Sequence, residues 1–402
     1  MKKGSINDIS KHDKAGLSED FISFFSFLLR DTNILLLSKK GAKVEKQQYE
    51  NLLRIIDVLL TGTSWLMLSE RVEIPVGSIE LARELGFEIQ KESSVYHAKI
   101  PAGINLFLER SGRRLRIHYY AEFQNSRVSK GTIEFEFDKF VNELLRIAKK
   151  HLIEHASKEN MLHSHLNEAS VVLEFYKWIS RKWNNETLRD IHDKVSITTT
   201  HLHFEICLNK FNVGETFNPF PVAIWLDNYL LVGACQETNG EKKVMGIPME
   251  PLYVFNELLY AVSWIMEPDS SEGGLYAGEL RKYVQKLGFS VGNKNPLYLV
   301  SFGCCSTIVF ERENDNLLIH YHNSLRNCDE LPNGTIEVPL KEFIEDLLKC
   351  VFAYLTRYMD IVEKIRASHG QKPEEYACNE LWSNYKYTLR KYLRLTGAIS
   401  AL

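Results

Sequence analysis

The sequence predicts an α+β protein built as a tandem duplication of antiparallel β-meander units packed on helices. The first observation is a repeated phrase: residues 107–120 read FLERSGRRLRIHYY and residues 309–322 read VFERENDNLLIHYH. The second is that the same tetrapeptide, GTIE, follows both copies. It opens GTIEFEFDKF at 131–140 and GTIEVPLKEF at 334–343, each leading into an apolar helical pattern. Self-similarity at a fixed spacing indicates a duplicated structural unit.

The spacing between the two copies is nearly constant. The Glu-Arg and His-Tyr pairs recur 202 residues later, since 311 − 109 and 320 − 118 both equal 202. A fainter third copy of the strand–turn–strand pattern lies at 221–234, ahead of another helical pattern. We therefore expect an N-terminal helical segment 1–43, a first α+β unit 44–200 and a second α+β unit 201–402.

Each unit reads as helical sequence followed by a meander and a further helix. In the first unit two alternating segments flank Ser111-Gly112, which is a hairpin signal. A third strand and an amphipathic helix follow. Because side chains alternate along a strand, Leu115 and Ile117 share one face and His118 and Tyr120 share the other. We expect the second face to be free.

Composition and charge argue against nucleic-acid and membrane partners. Lys and Arg total 49 and Asp and Glu 52, whereas a broad nucleic-acid surface usually shows a basic excess. The most apolar run, FISFFSFLL at 21–29, is far shorter than the roughly 20 residues of a membrane span, and the N-terminus lacks the apolar stretch of a secretory signal. The seven cysteines are irregularly spaced, so we expect free thiols in the cytoplasm.

Motifs of catalysis and metal binding are sparse. The segment HLIEH at 151–155 matches the pattern H-x-x-E-H, in which His151 and His155 would bind zinc from one helix face. Two His-x-His pairs, at 163–165 and 201–203, could each present two imidazoles to one ion. We favour chance occurrence for these patterns and predict neither metal nor cofactor. The sequence contains no phosphate-binding loop and no G-x-S-x-G nucleophile motif.

Both halves keep one histidine, His118 in the first and His320 in the second. On exposed strand faces near Arg110 and Arg312, these imidazoles could perform acid–base chemistry or bind an anion. We favour the alternative that they make cross-strand contacts on a half-buried face. No nucleophile or second carboxylate stands at a fixed spacing from them, which disfavours catalysis.

One stretch resembles a known class of proteins. Residues 310–348 read Phe-x-Arg, Leu-x-Ile, Gly and Val-Pro-Leu-x-Glu-Phe in order, and then continue as an apolar helix. This order is similar to that of small bacterial immunity proteins of polymorphic toxin systems. The first half keeps the outline but has Phe-Glu-Phe in place of Val-Pro-Leu. The resemblance implies a protein that binds a toxin, and the doubled length departs from the single-domain pattern of that class.

We therefore predict a cytoplasmic, non-enzymatic protein-binding module that neutralises a toxin by covering its active site. Aromatic and arginine anchors are typical of such interfaces. The candidate partner-binding residues are Arg110, His118, Tyr120, Glu311, His320 and His322. Two alternatives stay open: a metal-dependent hydrolase that uses His151, Glu154 and His155, and an assembly protein that bridges two partners. The sequence leaves the oligomeric state open.

Overall fold

The computed structural model confirms the predicted α+β class, because the chain forms antiparallel sheets that pack on helices. The residues that it describes are 19–34, 42–68, 71–100, 103–122, 128–158, 166–184, 194–208, 220–238, 241–267, 273–292, 294–302, 306–323, 333–368, 370–372 and 374–398. Among the helices of these ranges, none combines the length and the apolar character needed to cross a membrane.

The chain divides into two compact units. Unit 1 comprises Met1–Leu162 and Val172–Asn185, and unit 2 comprises His163–Val171 and Glu186–Leu402. The division that we expected at 200/201 falls between two strands that pair in one sheet of unit 2. We expected helix Glu19–Ile34 in a separate N-terminal segment, but it packs within unit 1. The ring centres of Phe21 and Phe140 are 5.3 Å apart.

Unit 1 is built around a five-stranded sheet of order β1-β2-β3-β4-β5, in which β1 is parallel to β2 and the other neighbours are antiparallel. The strands are β1 (Glu73–Ile74), β2 (Ser94–Ile100), β3 (Ile104–Ser111), β4 (Arg114–Glu122) and β5 (Val128–Glu136). The helices are α1 (Glu19–Ile34), α2 (Ala42–Leu66), α3 (Ser78–Glu84), α4 (Phe137–Lys158) and α5 (Glu168–Trp183), of which α5 begins in residues assigned to unit 2.

Both faces of this sheet are covered at its central strand β3, so the expectation that one face is free along its whole width is wrong. Phe107 and Leu108 are adjacent in β3 and point to opposite faces, yet both are fully buried. Leu108 lies against α2 beside Gly62, and Phe107 packs with α3 and with Phe87 in the loop that follows α3. The sequence pattern predicts the α3 helix but does not specify the face on which it packs. The part of this face that carries Phe107 and His118 is therefore interior, whereas Thr132 and Glu134 of β5, on the same face, are exposed.

Unit 2 contains two larger sheets and one separate hairpin. The strands are β6 (Lys194–Thr198), β7 (Leu202–Cys207), β8 (Phe220–Leu226), β9 (Tyr229–Val232), β10 (Ala234–Thr238), β11 (Glu241–Met245), β12 (Ile247–Met249), β13 (Leu297–Phe302), β14 (Ser306–Glu313), β15 (Asn316–Asn323) and β16 (Gly334–Pro339). One sheet has the order β12-β8-β7-β6 with β9 also on β8, the other is the meander β13-β14-β15-β16, and β10 pairs with β11.

Helices cover the second meander in the same way as the first. They are α6 (Pro251–Met266), α7 (Gly273–Lys286), α8 (Leu340–Ala353), a π-helical turn (Tyr354–Tyr358), α9 (Met359–Ser368) and α10 (Glu375–Leu395). In β14, adjacent residues Val309 and Phe310 are both fully buried. Val309 packs with Val284 of α7, and Phe310 lies 5.7 Å from the Phe343 ring of α8.

The predicted hairpins of both units are confirmed, although the unit 1 turn is Gly112-Arg113, one residue later than the predicted Ser111-Gly112. Ser111 pairs with Arg114, and Glu313 pairs with Asn316, so each turn contains two residues. The first turn residue is left-handed in both, with φ of 59° at Gly112 and 57° at Asn314. Glycine and asparagine are the residues that adopt this conformation most readily, which explains why these two types occupy the turn.

Candidate functional site

A buried histidine lies on the α3 side of the unit 1 sheet, between a carboxylate and a hydroxyl. His118 Nε2 is 3.0 Å from Glu109 Oε2, and His118 Nδ1 is 2.8 Å from Thr132 Oγ1. A neutral imidazole that carries its hydrogen on Nε2 donates to the carboxylate and accepts from the hydroxyl. His118 and Glu109 expose only 3% and 1% of their surface, so the pair is shielded from solvent. We call these three residues the first network.

The other oxygen of the Glu109 carboxylate holds the loop that precedes the sheet. Glu109 Oε1 accepts hydrogen bonds from the Gln90 backbone N–H and the Ser93 hydroxyl, both at 2.7 Å. Burial raises the pKa of Glu109, but hydrogen bonds, the largest of them from His118, outweigh burial and leave this pKa below its usual value. The carboxylate thus acts as a charged acceptor that joins loop and sheet.

Unit 2 contains the same arrangement, which we call the second network: Glu311, His320 and Thr335. His320 Nε2 is 2.9 Å from Glu311 Oε2, and His320 Nδ1 is 2.8 Å from Thr335 Oγ1. Glu311 Oε1 accepts from the Gly292 backbone N–H at 2.7 Å and from Asn295 Nδ2 at 2.6 Å. Each loop residue follows its unit 1 counterpart by the repeat spacing, since 292 − 90 and 295 − 93 both equal 202.

The sheet register explains the repeated phrase. Three cross-strand pairs recur: one apolar, one hydrogen-bonded and one that matches tyrosine with glycine. They are Ile117–Ile133, His118–Thr132 and Tyr119–Gly131 in unit 1, and Ile319–Ile336, His320–Thr335 and Tyr321–Gly334 in unit 2. A Cβ atom at Gly334 would lie 2.7 Å from the Tyr321 hydroxyl and 3.0 Å from the ring, so the tyrosine requires glycine opposite.

The repeated arginine binds the end of a helix. Arg312 Nη1 donates to the carbonyl oxygens of Ile265 and Met266 at 3.2 and 2.8 Å, and its Nε donates to Asn314 O at 3.0 Å. The last carbonyls of a helix have no partner within the helix, and a cation is favourable there. Arg312 therefore joins the C-terminus of α6 to the hairpin turn.

Arg110 does the same in unit 1. Its Nη1 donates to the carbonyl oxygen of Leu66 at the end of α2, and its Nε donates to Gly112 O at 3.0 Å. The guanidinium also lies 4.0 Å from the ring centre of Phe137. The arginine of the repeated Glu-Arg pair thus connects helix and turn in both units.

The predicted partner-binding residues separate into buried and accessible groups. His118, Glu311 and His320 are buried, so the expectation that they lie on exposed strand faces is wrong. The reason is that α3 and α7 cover those faces. The cross-strand contacts that we favoured for both histidines are present, with Thr132 and Thr335. Arg110, Tyr120 and His322 are half-buried and retain some exposed surface.

The alternative zinc site cannot be assembled from the part of the chain that the structure describes. His151 lies in α4 and is half-buried, whereas the side chains of Glu154 and His155 and the pair at 163–165 fall outside the described residues. Among the described side chains, no group of three or more His, Cys, Asp or Glu is arranged to hold a metal ion.

The pair at 201–203 uses its imidazoles in separate contacts. His201 Nδ1 is 2.9 Å from Asp227 Oδ1, and its Nε2 is 3.6 Å from Glu342 Oε2. The hydrogen bond with Asp227 is the main reason that the pKa of His201 is raised, which favours an imidazolium with two carboxylate neighbours. His203 Nδ1 is 2.7 Å from the Thr198 hydroxyl, and its Nε2 is 3.3 Å from Glu205 Oε1.

Unit 2 also contains a cluster of charges around the buried Arg366. Arg366 pairs with Glu250 and, at 2.8 Å, with Glu374, while its Nε is 3.8 Å from Glu363 Oε1. Burial raises the pKa of Glu250 to about 7; the Arg366 charge opposes this rise and the Glu363 charge adds to it. The cluster joins α9 to residues that immediately precede α6 and α10.

The carboxylate partner of each histidine is the feature that our sequence analysis missed. Glu109 and His118 are nine residues apart, as are Glu311 and His320, and a two-residue turn joins their strands. That spacing makes the two side chains diagonal neighbours on one face of a hairpin.

Comparison of the chain with protein-family models, with curated proteins and with solved structures gave no match.

Proposed function

We propose that this chain is a cytoplasmic protein-binding module that neutralises a toxin by binding it directly and covering its active site. The observation that carries the proposal is the duplicated network. The polar residues that both halves share are engaged with each other inside each sheet, where they hold loops and helices in place. Such residues support a scaffold, and a scaffold acts through the surface that it presents.

Three further observations support the proposal. The stretch 310–348, which resembles immunity proteins, overlaps β14, β15, β16 and α8, and the three strands contain the second network. Cys207, Cys350 and Cys378 are free thiols, which agrees with a reducing compartment such as the cytoplasm. Arg110, Tyr120 and His322 are the predicted contact residues that remain partly accessible.

The experiment is a binding and protection assay with proteins encoded next to this chain in its genome. We expect one of them to be a toxin that co-purifies with this chain and whose toxicity is suppressed by co-expression. A binding stoichiometry of one supports inhibition, whereas a stoichiometry of two would favour the bridging alternative. Failure of every neighbouring gene product to bind would contradict the proposal.

A further inference from the structure

Exposed tyrosines are concentrated on one pair of helices in unit 2. The large hydrophobic side chains that are exposed in the described chain are Val76, Val128, Ile153, Tyr229, Tyr253, Tyr260, Tyr283, Tyr376 and Tyr387. Four of the six tyrosines lie on α6 and α10. Tyrosine is enriched at the centres of protein interfaces because its ring is rigid, largely apolar and able to hydrogen-bond.

Helices α6 and α10 run parallel and side by side. Asn384 Nδ2 donates to Asn256 Oδ1 at 2.9 Å, and Lys391 Nζ donates to Ser263 O at 3.0 Å. The residue numbers rise together between the two contacts, since 391 − 384 and 263 − 256 both equal 7. Two aligned helices of this kind present one continuous surface.

The tyrosines share this surface with two carboxylates. Tyr253, Glu257 and Tyr260 follow one another at helical spacing on one side of α6, and Tyr376 and Glu380 do so on α10. The Tyr260 hydroxyl donates to Glu380 Oε1 at 3.1 Å, which joins the two sets. Tyr253, Tyr260 and Tyr376 are 47%, 41% and 51% exposed. We call these five residues the tyrosine face.

The charge on the tyrosine face is negative and is not balanced by a neighbouring cation. Within the described chain, neither Glu257 nor Glu380 forms an ion pair. Burial raises the pKa of Glu257, and the nearby Glu380 charge raises it further. A cation placed between the two carboxylates would therefore interact favourably with both, and the tyrosine rings offer it cation–π contacts.

We propose that the tyrosine face binds arginine side chains on a segment of a partner protein. The guanidinium group fits both features of the surface, because it stacks on aromatic rings and donates hydrogen bonds to carboxylates. The inference rests on the proposed function in so far as that partner is the bound toxin. A nucleic acid is disfavoured because its phosphates would meet Glu257 and Glu380.

A second copy of this chain is a less suitable occupant. Within the described chain, an exposed basic cluster lies at the β3–β4 hairpin, but two of its three arginines, Arg114 and Arg116, are 3.7 and 3.4 Å from the carboxylate of Glu134. An arginine that already lies beside one carboxylate gains less electrostatic stabilisation from a second carboxylate. The tyrosine face therefore suits the arginines of another protein better than those of its own hairpin.

The first test measures binding of a fluorescent dodecapeptide of alternating glycine and arginine to the full chain. We expect Tyr253→Ala/Tyr376→Ala and, separately, Glu257→Lys to weaken binding by about tenfold or more. Tyr283→Ala, which removes an equally exposed tyrosine from α7, is the matched control and should change affinity by less than about twofold. The corresponding lysine peptide should bind more weakly, since lysine stacks less well on aromatic rings.

Circular dichroism and thermal unfolding establish that each variant is folded. The inference is overturned if the wild-type chain does not bind the arginine peptide, if the double variant binds it as well as wild type, or if Tyr283→Ala causes the same loss. It is also overturned if the wild-type chain is a dimer that Tyr253→Ala/Tyr376→Ala dissociates, because the occupant would then be a second copy.

A second assay separates this inference from the proposed function. If the wild-type chain and the folded double variant bind a neighbouring gene product equally, the proposed function stands and the tyrosine face is not its binding site. If no neighbouring gene product binds but the arginine peptide still requires the tyrosine face, the toxin proposal fails and the arginine-binding surface remains.

Discussion

At the scale of single residues, each network holds a histidine in place through hydrogen bonds to both of its ring nitrogens. His118 has partners at 3.0 and 2.8 Å on its two ring nitrogens, and His320 has partners at 2.9 and 2.8 Å. An imidazole whose nitrogens are both engaged inside the protein has no free position for a substrate. Its removal should therefore affect stability first.

The first prediction concerns the energetic coupling between His118 and Glu109. His118→Leu should lower the free energy of unfolding by about 3 kcal/mol, because it leaves a buried carboxylate without its main partner. Glu109→Leu/His118→Leu should cost less than the sum of the single changes, with a coupling of about 2 kcal/mol. Urea denaturation measures these values.

The exposed pair Arg114 and Glu134 is the matched control for this double-mutant cycle of His118 and Glu109. Its atoms are 3.7 Å apart and its side chains are 68% and 52% exposed. Replacing both residues by leucine should reveal a coupling of no more than about 0.5 kcal/mol. Equal coupling in the two cycles would contradict the structural role assigned to the first network.

The second prediction concerns pH and Glu250. The pKa of this carboxyl rises from 4.5 to about 7 on folding, mainly because it is buried. Between these values the folded state binds more protons than the unfolded state, so this group makes the free energy of unfolding fall as the pH rises from 4.5 to 7. Glu250→Gln should remove that contribution. The midpoints of urea denaturation, measured for the variant and the wild type at several pH values, test this. A variant with the wild-type slope, or the same flattening in the exposed control Glu279→Gln, would refute the assignment.

At the scale of elements, the Tyr321–Gly334 pair lets the tyrosine ring pack closely where β15 pairs with β16. The third prediction is that Gly334→Ala lowers the free energy of unfolding by about 2 kcal/mol, because the new methyl group overlaps the Tyr321 ring. Gly278→Ala is the control: nothing lies within 4 Å of its Cβ position in α7, and alanine favours the helix by up to about 1 kcal/mol. Thermal unfolding of both variants checks the sign, and a neutral Gly334→Ala would refute the close packing.

The elements that the sequence predicted are those whose residues repeat with a clear period. The hairpins at Gly112 and Asn314, the GTIE strands and the helices after them follow from alternation and turn chemistry. The position of α3 could not be predicted in this way. Its seven residues identify a helix, but packing against Phe107 depends on long-range contacts that periodicity does not encode.

The same limit applies to the candidate site. The sequence singled out His118 and His320 because both halves keep them, but their burial depends on helices that lie elsewhere in the chain. The tyrosine face was not predicted at all, because Tyr260 and Glu380 are 120 residues apart and meet only when α6 and α10 pack together.

At the scale of the whole molecule, the labelling rate of a buried thiol measures how often the core of unit 2 becomes transiently exposed to solvent. Burial raises the pKa of Cys350 to about 12, and its side chain is fully buried beside Thr199. The fourth prediction is that iodoacetamide at pH 8 labels Cys350 in the native protein at least about a thousandfold more slowly than in the unfolded chain. Mass spectrometry of the Cys350 peptide measures this, with half-buried Cys207 as the comparison. Rapid native labelling of Cys350 would show that the core of unit 2 opens easily.

Binding of a neighbouring gene product to a folded network variant tests the central claim most directly. The claim is that the networks hold the scaffold while the surface binds the partner. Calorimetry should show stoichiometric binding to wild type and, within about threefold, to folded Glu311→Leu/His320→Leu, since both replaced side chains are buried and cannot contact a partner directly. Loss of binding in the folded variant, or no binding to wild type, would contradict the account.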